Sequence, residues 1–234
     1  YARDDMTSRE REAIATEFNM QNSLDQFRVR ETLTRGAGNL AASWDESLAL
    51  ENPRRRQMQL QAIAGLWSQS DPRAALERTA ALPVGERRMI EQGILHNWAT
   101  REPRAAIDWI LANAQQHEWS HGAMQTAFSS LVTTDRAQAL LLVEQVEGRD
   151  PRRQVVQRIL GTWADLEPRE AAAWFDTLDR YEREHAVHRI VPPYVKAYPE
   201  EAWDWALALG GEDGAQATSA VLGLVAVDDP RAAL

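Results

Sequence analysis

One motif returns along this chain at a nearly constant interval, and it constrains the fold more than any other feature. A tryptophan is followed four residues later by an acidic residue and a proline, and then by an arginine and small residues. The clear copies begin at Trp67, Trp98 and Trp163, and weaker copies begin at Leu131, Tyr194 and Val225. The steps between these six anchors are 31, 33, 32, 31 and 31 residues. An interval of this length is typical of arrays in which one supersecondary unit is stacked repeatedly.

Each copy of the motif contains the signals for two helices. An acidic residue before a proline is suited to accept hydrogen bonds from the first free amides of a helix, and the proline suits the first helical position. We therefore expect the acidic residues at this position to be N-caps. The second helix of each copy carries two adjacent apolar residues, three and four positions before the anchor, which places them on one helical face. These pairs are Ile63 and Ala64, Ile94 and Leu95, Ala127 and Phe128, Ile159 and Leu160, Ile190 and Val191, and Val221 and Leu222.

These patterns predict an all-α fold, a right-handed α-solenoid of helix-turn-helix hairpins with a period of 31–33 residues. A single hairpin cannot bury its own apolar face, so each hairpin must pack against its neighbours. We expect a leading helical pair over residues 1–38, which would form an N-terminal cap. The repeat array would then occupy residues 39–234 and be truncated in its last repeat.

The first helix of the motif resembles the tetratricopeptide repeat, in which a tryptophan follows the proline by six positions. Pro103 and Trp109, Pro168 and Trp174, and Pro199 and Trp205 have this spacing, and the resemblance covers most of residues 40–234. The chain departs from the family in its period, since the family repeat has about 34 residues. It also has large aromatic residues at 67, 98 and 163, where the family usually keeps a small side chain.

The resemblance implies a scaffold that holds a protein or peptide in a concave surface lined by first helices. The residues that would line such a surface, called here the predicted first-helix groove, are Arg73, Glu77, Arg104, Asp108, Arg169, Glu170, Glu201 and Asp204. Two tryptophans outside the main repeat columns, Trp119 and Trp203, are further candidates for partner contacts, because exposed tryptophan is enriched at interface hot spots. A solvated face with no partner is the alternative interpretation of the same charged residues.

Composition narrows the class of partner. The net charge of −9 disfavours binding to a phosphate backbone, and the chain has no cysteine that could ligate zinc or act as a nucleophile. No apolar run is long enough to cross a membrane. We therefore expect another protein or a peptide as the partner, with no nucleic acid, no membrane insertion by this segment and no cofactor.

Two alternative functions remain open. His117, Glu118 and His121 form an H-E-x-x-H sequence, which on one helix would place two imidazoles and a glutamate as in a zinc-dependent hydrolase. No similarly placed third ligand follows this sequence, so we expect no metal site, with His117 and His121 as weak candidates only. The second alternative is a structural spacer that associates with itself through the incomplete repeat at Asp229 to Leu234. Because the chain begins at Tyr1 and ends inside a motif, we also expect it to belong to a longer protein of bacterial type that is periplasmic or otherwise exported.

Overall fold

A computed structural model describes residues 40–113, 120–183 and 186–228 of the chain. The regular secondary structure of these three ranges is helical, with turns between the helices and no strand, which confirms the prediction of an all-α protein. The leading helical pair predicted over 1–38 lies outside the described residues. So do His117, Glu118 and Trp119.

Thirteen helices occur in the described ranges. In each hairpin the second helix is longer than the first, and one hairpin has an additional four-residue helix between the two. In chain order the helices are α1 Leu40–Leu48, α2 Pro53–Ser70, α3 Pro72–Thr79, α4 Val84–Arg101, α5 Pro103–Ala112, α6 His121–Thr134, α7 Arg136–Val143, α8 Arg149–Leu166, α9 Pro168–Phe175, α10 Arg180–Arg183, α11 Val187–Ala197, α12 Pro199–Leu209 and α13 Gly211–Asp228. The chain divides into two compact units, Tyr1–Trp98 and Ala99–Leu234. None of the described helices is both long enough and apolar enough to cross a membrane.

In the first unit, α2 packs against both of its neighbours in the chain, α1 and α3. The Arg56 guanidinium donates to Glu86 at 2.8 Å and so links α2 to α4. The apolar face of α2 is buried through Leu60, Ile63 and Ala64. This unit therefore has the hairpin-on-hairpin packing that the repeat predicts.

In the second unit, the second helices contact one another in sequence, α6 with α8, α8 with α11, and α11 with α13. Each short first helix after α5 packs against the second helix before it and the second helix after it. A stack of this kind buries one face of every hairpin against the next, which is how a helical repeat acquires a core. The sequential packing is consistent with a solenoid-like arrangement.

The same tight junction joins each second helix to the next first helix. At four of the junctions the residue four after the anchor donates its backbone N–H to the anchor carbonyl, as Asp71 does to Trp67 at 2.8 Å and Glu167 to Trp163 at 2.7 Å. That residue also adopts nearly the same backbone conformation each time, from φ −133° and ψ 67° at Glu102 to φ −150° and ψ 82° at Asp135. One residue thus ends a helix and begins the next, and the recurring motif gives the same backbone conformation at each junction.

The N-cap prediction is confirmed for aspartate and is wrong for glutamate. The side chains of Asp71 and Asp135 accept from the backbone N–H three residues later, each at 3.0 Å. Glu102 and Glu167 make no such cap hydrogen bond. The additional methylene group of glutamate carries its carboxylate away from the first turn, and in Glu167 the carboxylate instead contacts Arg136 and the Trp163 indole.

The predicted apolar pairs of the second helices form the core. All but one of the twelve side chains are buried, and Ile159, Leu160, Ile190 and Val191 have no measurable exposure. The exception is Leu222, which is 42% exposed. Leu222 lies on α13, the last of the described helices, so only one flank of this helix has a described hairpin against it.

Candidate functional site

An open polar groove of about 470 Å³ lies on the second helices of the second unit. We call it the second-helix groove. It is formed by one residue of α6, six of α8 and four of α11, namely Gln125, Gln154, Gln157, Arg158, Gly161, Thr162, Asp165, His188, Arg189, Pro192 and Pro193. The lining is mainly amide, guanidinium and hydroxyl groups, so the groove is suited to hydrogen-bonded rather than purely apolar recognition.

Two arginines one repeat apart give this groove its charge. Arg158 and Arg189 each lie five residues before an anchor, Trp163 and Tyr194, and so occupy equivalent positions on α8 and α11. Both side chains are exposed. Asp165 is the single acidic residue among the described lining residues, so the groove carries a local positive charge in a chain with a net charge of −9.

Other arginines link neighbouring hairpins by pairing with carboxylates. Arg152 pairs with Glu182 at 2.5 Å, and Arg183 pairs with Asp213 at 3.6 Å. Arg158, by contrast, donates to the amide oxygen of Gln125 at 3.4 Å. Within the part of the chain that the structure describes, neither Arg158 nor Arg189 has a carboxylate partner. Their guanidinium groups therefore keep donors available for an added acceptor.

A pair of prolines adds backbone acceptors to the same groove. Pro192 and Pro193 lie inside α11, and a proline has no N–H to donate to the carbonyl four residues earlier. The carbonyls of His188 and Arg189 consequently lose their usual helical donors. An interior proline costs about 3 kcal/mol of helix stability, and here two of them lie together against the groove.

Gly161 makes room for the groove. A Cβ atom at this position would lie 3.6 Å from Cδ of Arg189, an ordinary van der Waals contact, so the backbone of α8 allows a side chain here. Gly65 stands in the same register, two residues before its anchor, and has nothing within 4 Å of its Cβ position. The two glycines are therefore a matched pair, one inside the groove and one outside it.

The amides and hydroxyls along the groove connect its helices. The Gln125 amide donates to the Gln154 amide oxygen at 3.1 Å, which links α6 to α8. The hydroxyls of Ser129 and Thr162 lie 3.1 Å apart and make a second link between the same helices. These contacts hold the rim of the groove in place while leaving its arginines exposed.

The structure places most residues of the predicted first-helix groove in contacts within the chain. Arg104 pairs with Asp108 at 3.1 Å, and Arg169 donates to Glu201 at 2.5 and 2.6 Å. Glu170 accepts from Arg136 at 2.8 Å. Of the remaining residues, Arg73 lies over a ring of its own hairpin, as described next, and Glu77 and Asp204 are exposed.

An arginine from the first turn of a first helix covers an aromatic ring at the end of the second helix of the same hairpin. The guanidinium carbon of Arg73 is 5.7 Å from the Trp98 ring centroid, and that of Arg136 is 4.5 Å from Trp163. Arg169 lies over Tyr198 at 3.6 Å. The hairpin of Arg104 has Leu131 at the anchor position. These arginines thus stabilise the hairpins themselves.

The other predicted contact residues are placed separately. Trp203 lies on α12 and is half-buried, whereas Trp119 is outside the described residues. His121 is the first residue of α6 and is half-buried. Among the described residues, no three histidine, cysteine, aspartate or glutamate side chains are grouped as metal ligands.

Four ionisable groups on or directly after α9, and on α11 and α12, have shifted pKa values. Hydrogen bonds from Arg169 lower the pKa of the Glu201 carboxyl, and the same bonds raise the pKa of Arg169. Partial burial raises the pKa of Asp176, although the Trp205 indole and the Arg183 guanidinium oppose this shift. Burial also raises the pKa of the Tyr194 hydroxyl. The paired Arg169 and Glu201 are stabilised in their charged forms, whereas burial disfavours the ionised forms of Asp176 and Tyr194.

Comparison with known proteins gives no relative for this chain. No protein-family model, no curated protein and no solved structure matches it.

Proposed function

We propose that this chain is a protein-binding scaffold, a right-handed, tetratricopeptide-like solenoid that presents the second-helix groove to a partner protein. The observation that carries the proposal is the pair Arg158 and Arg189. They are equivalent residues on adjacent second helices, both exposed and both without a described carboxylate partner.

The contrast between the two faces of the repeat supports this choice of groove. On the first helices, Arg104 and Arg169 already have carboxylate partners, and Arg73 lies over Trp98. Such exposed pairs contribute little to stability, but they partly occupy the donors of these arginines. A partner that bound there would have to displace these charged contacts. In the second-helix groove, Arg158 and Arg189 have no described carboxylate partner to give up, and Arg158 donates to the neutral amide of Gln125.

Affinity capture with matched glycine variants tests the proposal. Gly161→Glu would fill the groove and place a carboxylate beside Arg189. Gly65→Glu makes the same chemical change at the same register outside the groove. Replacing an interior helical glycine favours the helix by about 0.5–1 kcal/mol, so neither variant should lose the fold. Circular dichroism would verify this.

We expect the wild-type chain and Gly65→Glu to retain the same specific partner from the native extract, and Gly161→Glu to lose it. Retention of that partner by Gly161→Glu at the wild-type level, with the fold intact, would contradict the proposal.

A further inference from the structure

We propose that the second-helix groove recognises an acidic peptide segment in polyproline II conformation, with carboxylates three residues apart that contact Arg158 and Arg189. This inference rests on the proposed function and names the chemistry of the partner.

The charge of the groove selects the acidic class. Two exposed guanidinium groups face the groove against one carboxylate, Asp165. Arginine presents donors in a planar fork that matches a carboxylate with two parallel hydrogen bonds. A basic segment would bring like charges to Arg158 and Arg189, and a neutral segment would leave their donors without a charged acceptor.

The repeat geometry selects the spacing of the two carboxylates. Arg158 and Arg189 are equivalent residues on α8 and α11, which pack directly against each other. The axes of packed helices lie about 8–10 Å apart. A polyproline II segment returns to the same face every three residues, or about 9 Å. A β-strand returns to the same face every two residues, or about 6.6 Å, and so matches the spacing less well.

The remaining polar groups of the groove suit the backbone of such a segment. A polyproline II helix has no internal hydrogen bonds, so its carbonyls and amides are available to a binding surface. Gln154 presents its amide N–H groups as donors, while its carbonyl oxygen already accepts from Gln125. The carbonyls of His188 and Arg189 lack their helical donors because of Pro192 and Pro193, and they offer acceptors to peptide N–H groups.

Fluorescence anisotropy with designed peptides tests the proposal on the whole chain. The first peptide repeats Pro-Pro-Glu four times, and a second repeats Pro-Pro-Gln. A third keeps the composition of the first but places its glutamates two residues apart. We expect Pro-Pro-Glu to bind at least about tenfold more tightly than Pro-Pro-Gln, because a hydrogen bond to a charged group is stronger than one to a neutral group. The third peptide should bind more weakly than the first.

Arginine variants locate the contact. Arg158→Gln and Arg189→Gln should each lower the affinity for Pro-Pro-Glu by about tenfold. Arg54→Gln removes an exposed arginine of α2 that lies outside the groove, and it should bind as the wild type does. Equal affinity for the glutamate and glutamine peptides would overturn the acidic class. Equal affinity of the third peptide would overturn the spacing, and full binding by Arg158→Gln would overturn the site.

Failure of this inference is distinguishable from failure of the proposed function. If none of the peptides binds but Gly161→Glu still abolishes capture of the partner, the ligand class is wrong and the groove remains the binding surface. If Gly161→Glu leaves capture unchanged, the proposed function fails, and this inference fails with it.

Discussion

Trp163 gives a quantitative test of the shared core between hairpins. Its side chain is 6% exposed, its ring centroid is 5.7 Å from that of Trp174 on the following first helix, and Arg136 lies over it. Replacing it with alanine removes about 150–200 Å² of buried apolar surface, which at about 25 cal/mol per Å² corresponds to about 4–5 kcal/mol. The expected range for such truncations in cores is about 3–5 kcal/mol.

We therefore expect Trp163→Ala to lower the free energy of unfolding by about 3–5 kcal/mol, measured by urea denaturation followed by far-UV circular dichroism. Trp67→Ala is the matched control, because Trp67 occupies the same anchor position but is only half-buried and contacts Trp44 edge-on at 6.5 Å. The control should lose less stability. A loss below about 1 kcal/mol in Trp163→Ala, with an unchanged denaturant slope, would refute the shared core.

Four further substitutions test other parts of the account. Burial raises the pKa of Asp176, so its stability contribution is present below the ordinary pKa and is lost as the pH rises. Asp176→Asn should therefore raise the melting temperature at pH 7, and should raise it much less at about pH 3.5. The pKa shift of Glu201 has the opposite direction, since hydrogen bonds from Arg169 lower its pKa, and its stability contribution is therefore lost as the pH falls. Glu201→Gln should lower the melting temperature at neutral pH, and the difference from the wild type should vanish in acid. Pro192→Ala restores a helical N–H and should raise thermal stability while weakening peptide binding. Gly148→Ala places a Cβ at φ 86°, 3.3 Å from Pro151, and should cost about 1–2 kcal/mol in urea denaturation.

Much of the fold was predictable because the same signals for helix ends and helix starts recur in each repeat. The acidic residue and proline after each anchor specify a helix end and a helix start, and the five junctions between Asp71 and Tyr198 share one conformation. The paired apolar residues of the second helices likewise predicted the core, apart from Leu222. The side-chain hydrogen bond of the N-cap was harder to predict. Aspartate and glutamate occupy the same position in the motif, but only aspartate caps the helix.

The second-helix groove was not predicted, because its residues come together only when their helices pack. Arg158 and Arg189 are 31 residues apart, and two arginines at this separation are unremarkable until the helices that carry them are adjacent. The binding surface was instead predicted on the first helices, because charged residues recur there beside the motif. Two features of the sequence indicated the second helices. Arginine occurs five residues before the anchor in two successive repeats, and Pro192 and Pro193 interrupt a helix that the repeat requires.

Site-specific photocrosslinking tests most directly which face binds the partner. A photoreactive amino acid would replace Gln154 in the second-helix groove in one variant and Asp204 on α12 in another, since both positions are exposed and lie in the same unit. In the native extract, the account predicts a discrete crosslinked product from position 154 that the additional Gly161→Glu change abolishes, and no such product from position 204. A product that forms from position 204 and not from position 154 would contradict it.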